Sequence, residues 1–304
     1  MMNVRTDLAI ESREMYLQRC KEELEGVRVE QEEYDEIKVT AIEVLNENGS
    51  IKLEKPVGNY ITIEMPQVED LGPEVREKCC RVISAEIGKL ISVHQDSKIM
   101  IVGLGNHNIT PDALGPKTAA NILVTRHRFL ILDKEDNKNL TNVSVITPGV
   151  MGNTGIESVD MIKGIVDEIK PDVIIAIDAL AARNVNRVTT TIQMSDTGVS
   201  PGAGVGNHRR GINQDTLGVK VIAIGVPTVI TAASIVYDFL AGYPEKSPHH
   251  DKAKEILEHL PGDMIVTPGN IDAVIQEFSR ILAGGINQAI HPNLSPKEIR
   301  DYLN

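Results

Sequence analysis

The stretch PDVIIAIDALAAR, residues 171–183, decides the fold class. Every position from Val173 to Ile177 is apolar, and the run closes on Asp178. A short, continuous, β-branched run between Pro and Asp is typical of a strand buried on both faces. Strands of this kind belong to parallel sheets whose two faces are covered by helices.

Comparable short runs recur along the chain and extend this interpretation. They are KIMIVG at 98–103, VSVITPG at 143–149, VTTTIQM at 188–194, VKVIAIGVP at 219–227 and MIVTPG at 264–269. Helical patterns lie between most of them, near residues 116–130, 154–169, 228–241 and 270–283. Short alternating segments at 36–66 favour further strands, and the polar first 35 residues indicate an exposed arm or peripheral helix. We therefore expect an α/β fold with a mostly parallel central sheet and helices on both faces.

Composition narrows the function. The 304-residue chain carries a formal net charge of −12, which argues against general nucleic-acid binding because such binding depends on clustered Lys and Arg. No apolar run reaches the length of a membrane span and no signal-peptide core is present, so we expect a cytoplasmic protein without membrane contact. Three cysteines without a CxxC spacing predict neither a disulfide framework nor a zinc site, and Cys79 fits a buried helix face.

Two aspartates are the candidate catalytic groups. In open parallel sheets, sites form beyond the carboxyl ends of the strands. Asp178 closes one predicted strand, and Asp112 lies in the loop that leaves the strand at 98–103. Two carboxylates that converge there cannot both ionise, so one holds a proton and the pair can activate water. The alternative is that each aspartate only caps a helix or stabilises a turn.

Other motifs are weaker signals. Gly103-Leu104-Gly105 opens like a nucleotide-binding turn but lacks the third glycine, so a nucleotide- or nucleoside-binding enzyme remains the alternative function. The segment 198–202 matches G-x-S-x-G, yet Pro201 cannot donate the N–H that a nucleophile elbow needs. The single Asp-Thr-Gly at 196–198 reads as a turn. We expect no cofactor and no metal, although Asp112, Asp178 and His107 are a conceivable metal set.

A glycine-rich basic segment could bind an acidic substrate. SPGAGVGNHRRGIN, residues 200–213, contains His208, Arg209 and Arg210, and Arg183 and Arg187 follow Asp178. Arginine side chains offer fork-shaped donors that match carboxylates. We predict that these five residues bind substrate.

Longer stretches of the chain resemble one family. VRTDLAIE near the start, GLGNHNITPDALGPKTAANILVTRH, VMGNTGIE, IAIDALAAR and SDTGVSPGAGVGNHRRGIN are similar to the germination protease family of endospore-forming bacteria. The resemblance extends over essentially the whole chain. It implies a fold similar to hydrogenase-maturation peptidases, of the phosphorylase/hydrolase-like kind, and an unusual aspartic endopeptidase whose catalytic pair falls on Asp112 and Asp178.

The resemblance also implies the biological setting. It points to a homotetramer in the cytoplasm of the forespore and spore core that degrades small acid-soluble spore proteins during germination, with no direct contact to nucleic acid. A non-catalytic binding protein for the same spore proteins stays open as a further alternative. Sequence does not assign which aspartate is base and which is acid, nor what keeps a precursor inactive.

The family is made as a precursor that trims its own N-terminus, and it cuts within a pattern like Thr-Glu-(Ile/Phe)-Ala-Ser-Glu, after the first acidic residue. This chain reads Thr-Asp-Leu-Ala-Ile-Glu at residues 6–11, where Ile10 departs from the small polar residue. By resemblance we predict cleavage between Asp7 and Leu8. Residues 1–7 would then be a propeptide, and residues 8–304 a single α/β peptidase domain.

Overall fold

A computed structural model describes residues 6–20, 24–94, 96–133, 135–202, 209–240, 248–259 and 264–303. The strands are β1 Val27–Tyr34, β2 Ile37–Val44, β3 Gly58–Glu64, β4 Lys98–Gly103, β5 Asn142–Ile146, β6 Val173–Ala182, β7 Thr191–Ser195, β8 Lys220–Thr231 and β9 Ile265–Val266. The helices are α1 Ala9–Cys20, α2 Glu47–Leu53, α3 Pro73–Leu90, α4 Leu114–Ala119, α5 Arg126–Ile131, α6 Met151–Thr154, α7 Ser158–Ile169, α8 Gln214–Leu217, α9 Ala232–Leu240, α10 Pro248–His259, α11 Ile271–Ile290 and α12 Pro296–Leu303. Among these described residues, no helix is both long and apolar enough to span a bilayer.

All the described strands join one mixed sheet. Its order is β1-β2-β3-β7-β8-β6-β4-β5, with β9 paired to β8. The strands β8, β6, β4 and β5 are mutually parallel, whereas the pairings among β1, β2, β3, β7, β8 and β9 are antiparallel. The α/β class is therefore confirmed.

The expectation of a mostly parallel sheet needs correction. It holds only for the half that contains β6, because that half is built from strands connected through helices, which bring the chain back in the same direction. The segments at 27–64 are joined by short turns and one short helix, so β1, β2 and β3 run antiparallel. Their alternating pattern, with one face more exposed than the other, is the sequence sign of antiparallel strands.

Helices cover both faces of the sheet. Alternate residues of the parallel strands, such as Ile101, Ile175 and Ile222, pack with α3 and α11 in one large apolar cluster. The intervening residues, such as Val102 and Ile174, pack with α7 on the opposite face. Side chains alternate along a strand, so each buried strand supplies apolar residues to both layers. This explains the continuous apolar runs in the sequence.

The start of the described chain differs from the exposed arm that its polar sequence predicts. Leu8 and Ala9 are fully buried, and Ile10 is 5% exposed. They pack with Ile42, Tyr60 and other apolar side chains on the sheet face that α7 also covers. The described part of the first 35 residues is therefore not simply an exposed arm, since its beginning is part of the core.

Candidate active site

Asp178 lies within β6 and not at its end. The strand continues to Ala182 because β6 keeps pairing with the long β8, through a register shift after Leu180. Its neighbour β4 ends at Gly103, which pairs with Ile177, so Asp178 is the first residue beyond the end of β4. Asp178 therefore lies at the carboxyl end of β4, as expected, although its own strand continues. The alternative that Asp178 caps a helix is wrong, because the residues after it are part of β6.

Burial dominates the electrostatics of Asp178. The residue is 5% exposed, and its Oδ1 accepts a 3.0 Å hydrogen bond from the N–H of Ala179. Removal from water raises the pKa of Asp178 well above its usual range, and the negative charges of Asp112 and Asp7 raise it further. Arg209 acts in the opposite direction.

Asp112 is held by its own loop. It ends a 3₁₀ turn, Thr110–Asp112, between β4 and α4, and its Oδ2 accepts a 2.7 Å bond from the N–H of Asn106. Thr228 of β8 steadies the same turn by donating to the carbonyl of Pro111 at 2.8 Å. Because the first bond closes the loop on itself and α4 has no side-chain cap, Asp112 is not the helix cap that the sequence allowed.

Glycine makes this loop possible. Gly105 has a φ of +110°, and a Cβ placed on it would lie 2.0 Å from the carbonyl oxygen of Asp112. The backbones of Gly103 and Gly115 also pack too closely for a side chain, since a Cβ on Gly103 would lie 2.5 Å from the carbonyl oxygen of Gly115. The glycines that resemble a nucleotide-binding turn thus let the Asp112 loop pack against the end of β4.

Both aspartates line one cavity of about 460 Å³. Its wall also includes Asp7 and Arg209. Burial raises the pKa of Asp112, and the Asn106 N–H and the charge of Arg209 offset only part of this shift. The charge of Asp112 adds to burial in raising the pKa of Asp178, so of the two carboxyl groups Asp178 is the one whose environment favours the protonated form more strongly. Asp7 and Asp112 place negative charge on this wall, which repels a phosphate group and disfavours the nucleotide-binding alternative.

The chain's own N-terminal segment runs through this site. The N–H of Asp7 donates to the carbonyl of Ala181 at 3.2 Å, and the N–H of Ala181 donates to Asp7 Oδ2 at 2.9 Å. The N–H of Ala9 donates to Gln193 Oε1 at 3.0 Å. Residues 6–11, which we call the N-terminal segment, therefore follow the end of β6.

Glu11 anchors the far end of the N-terminal segment. It is 1% exposed, and its carboxylate accepts the N–H groups of Arg183 at 2.7 Å and Asn184 at 2.8 Å, together with the hydroxyl of Thr6. Arg187 Nη1 lies 3.7 Å from Glu11 Oε1. Burial raises the pKa of Glu11 despite these donors.

The predicted substrate-binding residues separate in the structure. The Arg187 side chain binds Glu14 with two bonds of 2.6 and 2.7 Å, besides its contact with Glu11. The Arg183 side chain lies 3.5 Å from Asp238, and Arg210 pairs with Asp160 in an exposed position, away from the cavity wall. Arg209 lines the cavity with Asp112 and Asp178, and its charge acts to lower the pKa of both. His208 lies outside the described residues.

Sequence reasoning missed Lys55, which no motif marks. Its Nζ donates to the carbonyl oxygens of Thr6 and Asp7, at 3.1 Å each. A second cavity of about 160 Å³ is lined by Lys55, Asp7 and Asp178 together. Asp7 thus lies where both cavities meet.

Other sequence candidates have ordinary roles. Asp196 binds the backbone N–H and the side-chain amide of Asn59, at 2.8 and 2.7 Å, as a turn residue would. Burial raises the pKa of Cys79 to about 11, so its thiol is not activated. Within the described ranges, no three His, Cys, Asp or Glu side chains group as metal ligands, and the set of Asp112, Asp178 and His107 is not brought together.

This fold and site, two carboxylates of unequal pKa on one cavity at the carboxyl edge of an α/β sheet, define a candidate hydrolase. The family model described as germination protease matches residues 5–243, so the chain belongs to the germination protease family, whose members are peptidases. It is a protease by this membership.

Named relatives extend the match over the full length. The germination protease of Clostridium perfringens is 42% identical, with 100% of both chains covered. Those of Caldanaerobacter subterraneus and Bacillus cereus are 40% and 39% identical, covering 99% of this chain and 98% and 97% of theirs. Among solved structures, the NiFe hydrogenase maturation protease HycI from Thermococcus kodakarensis matches with a TM-score of 0.35 and 16% identity, over 64% of this chain and 92% of that one.

Proposed function

We propose that the chain is an endopeptidase that degrades small acid-soluble spore proteins during germination, with the Asp112–Asp178 pair activating water. The observation that carries the proposal is the shared cavity, in which one carboxyl is deeply buried and the other is partly open. Membership of the germination protease family supplies the biological class. Two carboxyl groups with separated pKa values are the arrangement that acid–base hydrolysis requires.

The two aspartates take different parts in this proposal. Asp112 is the base that removes a proton from water: burial raises its pKa, but the Asn106 N–H and Arg209 favour its charged form, and the pKa of Asp178 is raised more strongly. Asp178 is the proton donor for the leaving nitrogen, because burial and neighbouring charge keep it protonated. The pair titrates as one unit, so activity depends on a single shared proton.

Self-processing fits the path of the N-terminal segment. In this proposal the bond after Asp7 is cut, residues 1–7 leave as a propeptide and residues 8–304 remain as one peptidase domain. Asp7 lies on the wall of the cavity that holds both aspartates, and Leu8 is fully buried beside it. A segment that lies at the wall of this cavity would hinder the entry of other peptides, which is our explanation for an inactive precursor.

Substrate recognition follows the same contacts. Arg209 is the candidate that binds the acidic residue before the cut, since it lines the same cavity as Asp7. Arg187 and the N–H groups of Arg183 and Asn184 would instead bind the second acidic residue, four positions after the cut, as they bind Glu11 here. By resemblance, the enzyme works as a homotetramer in the cytoplasm of the forespore.

Replacement of each aspartate tests the proposal. Asp112→Asn and Asp178→Asn are expected to abolish both the mass loss of residues 1–7 and the cleavage of a purified spore protein. Asp196→Asn is the matched control, because Asp196 lies in a turn and should leave both reactions intact. Cleavage at the normal rate by either of the first two variants would exclude the pair as the catalytic groups.

A further inference from the structure

A carbonyl group that is attacked by water needs a donor for the oxygen on which negative charge develops. Preorganised donors at that oxygen are usually the largest single contribution to acyl-transfer catalysis. If Asp112 takes the proton of water and Asp178 supplies the leaving nitrogen, neither is left to hold this oxygen. The proposed reaction therefore needs a third group at the carbonyl of Asp7.

Lys55 is such a group. Its Nζ lies 3.1 Å from the carbonyl oxygen of Asp7 and shares a cavity with Asp178. The contact is made to backbone oxygens of Thr6 and Asp7, so it does not depend on which side chains a substrate carries. We propose that the Lys55 ammonium is the oxyanion donor for the bond after Asp7 and for the equivalent bond of substrates. This inference rests on the proposed self-processing function.

Local structure fixes the position of Lys55. Helix α2 begins with the Asn46 side chain accepting the N–H of Gly49 and ends at Glu54, whose φ of 55° is left-handed. This ending turns the chain sharply and directs Lys55 toward the N-terminal segment. Burial lowers the pKa of Lys55, while the charges of Asp7, Glu11 and Glu54 act against that shift. A poorly hydrated ammonium is a stronger hydrogen-bond donor than one in water.

The reaction balances with Lys55 charged throughout. Water attacks the carbonyl carbon of Asp7 and loses one proton to the Asp112 carboxylate, while the carbonyl π electrons move to the oxygen facing Lys55. The tetrahedral intermediate then re-forms the carbonyl and breaks the C–N bond to Leu8, whose nitrogen takes the proton of Asp178. The products are the α-carboxyl of Asp7 and the amine of Leu8, and the pair again holds one proton.

The test compares Lys55→Met, Lys55→Arg and Lys52→Met in the full-length chain. Lys52 is a matched control on α2, since its side chain approaches Glu25 at 3.9 Å. Intact mass over time gives the processing rate, and a peptide containing Thr-Asp-Leu-Ala-Ile-Glu gives kcat and KM of the processed enzymes. We expect Lys55→Met to lower the processing rate and kcat by about 10²-fold, the usual effect of losing one oxyanion donor. KM should change less than about threefold, because the donor acts mainly in the transition state.

The controls separate catalysis from anchoring. Lys55→Arg should restore most of kcat and Lys52→Met should match the wild type. A rise in KM with unchanged kcat, or normal processing by Lys55→Met, overturns the inference and leaves Lys55 as an anchor. If Lys55→Met does not fold, as judged by its thermal unfolding, Lys55→Gln replaces it and should show an intermediate loss of kcat.

Failure of the inference is distinguishable from failure of the proposed function. If Asp178→Asn is inactive while Lys55→Met is normal, only the role of Lys55 is excluded. If Asp178→Asn also processes normally, the proposed function itself is excluded.

Discussion

At the scale of single residues, the proposed catalytic geometry depends on a glycine as much as on the carboxylates. The left-handed φ of Gly105 and the contact that a Cβ would make with the Asp112 backbone leave no room for any side chain. The sequence motif around Gly103 and Gly105 is therefore explained by steric requirements of the Asp112 loop, without phosphate binding.

Gly105→Ala is expected to displace Asp112 and to lower the processing rate by at least about 10²-fold, since a shift of about 1 Å can cost that much. Gly164→Ala is the control, because Gly164 lies on the exposed side of α7 with nothing within 4 Å of its Cβ position. It should keep activity and gain about 0.5–1 kcal/mol of stability. Normal processing by Gly105→Ala would contradict the steric explanation.

Buried Asp178 is expected to destabilise the folded state at neutral pH. Its pKa is raised in the folded state, so stability is lost as pH rises above the unfolded value of about 4. Asp178→Asn removes this cost, and the variant is expected to unfold at a higher temperature than wild type at pH 7. The difference should disappear below about pH 4, where the Asp178 carboxyl is protonated in both the folded and the unfolded chain. Thermal unfolding across this pH range is the measurement, and a less stable variant at pH 7 would refute the expectation.

At the scale of elements, ion pairs hold α1 against the turn that follows β6. The side chain of Arg187 is 11% exposed and contacts Glu11, Glu14 and Glu64. This cation neutralises Glu11 and Glu14 in the first turns of α1 and Glu64 at the end of β3, so its loss leaves three carboxylates crowded together. Removing one partner of a buried ion pair costs more than the pair contributes.

Arg187→Met is expected to destabilise the fold by about 3–5 kcal/mol and to speed amide hydrogen exchange at residues 8–14. Arg210→Met is the matched control, because Arg210 pairs with Asp160 on the surface, where a pair contributes about 0–1 kcal/mol. Chemical denaturation and hydrogen exchange measure the two effects. Equal stability of the two variants would show that Arg187 does not hold α1.

At the scale of the whole molecule, acid should weaken the fold through His291. This residue is fully buried, its Nδ1 accepts the N–H of Thr141 at 3.2 Å, and Nε2 lies 3.3 Å from the carbonyl of Leu123. Burial lowers its pKa to about 4. The unfolded chain binds this proton below about pH 6.5 and the folded chain does not, so stability falls between pH 6.5 and 4.

The expected loss is about 3 kcal/mol, from a shift of about 2.5 pH units at about 1.36 kcal/mol each. Denaturation at several pH values in the Asp178→Asn background measures this loss of stability. The substitution is expected to prevent self-cleavage, and it removes Asp178, whose own protonation would stabilise the fold as the pH falls. His291→Gln in the same background should be less stable at pH 7 but show a shallower slope between pH 6.5 and 4. Unchanged slopes would exclude His291 as the responsible group.

Much of the parallel half could be read from sequence, because buried strands must be apolar at every position. The run at 98–103 coincides with β4, and those around Asp178 and at 219–227 became the longer strands β6 and β8. The ends of β6 and β8 were missed because their last residues pair with each other beyond β4, a contact between segments far apart in the chain. The predicted helix at 116–130 is two short helices, α4 and α5.

The sequence by itself determined the α/β class and the family resemblance, and it suggested the pair Asp112 and Asp178, since these depend on local patterns and on motifs that are contiguous in the chain. Tertiary structure alone decided that residues 6–11 enter the core, that Lys55 meets the Asp7 carbonyl, and that Arg187 binds Glu11. The last two of these contacts join residues at least 48 positions apart. Burial and electrostatics act through space, so no local pattern encodes which distant charge a side chain will meet.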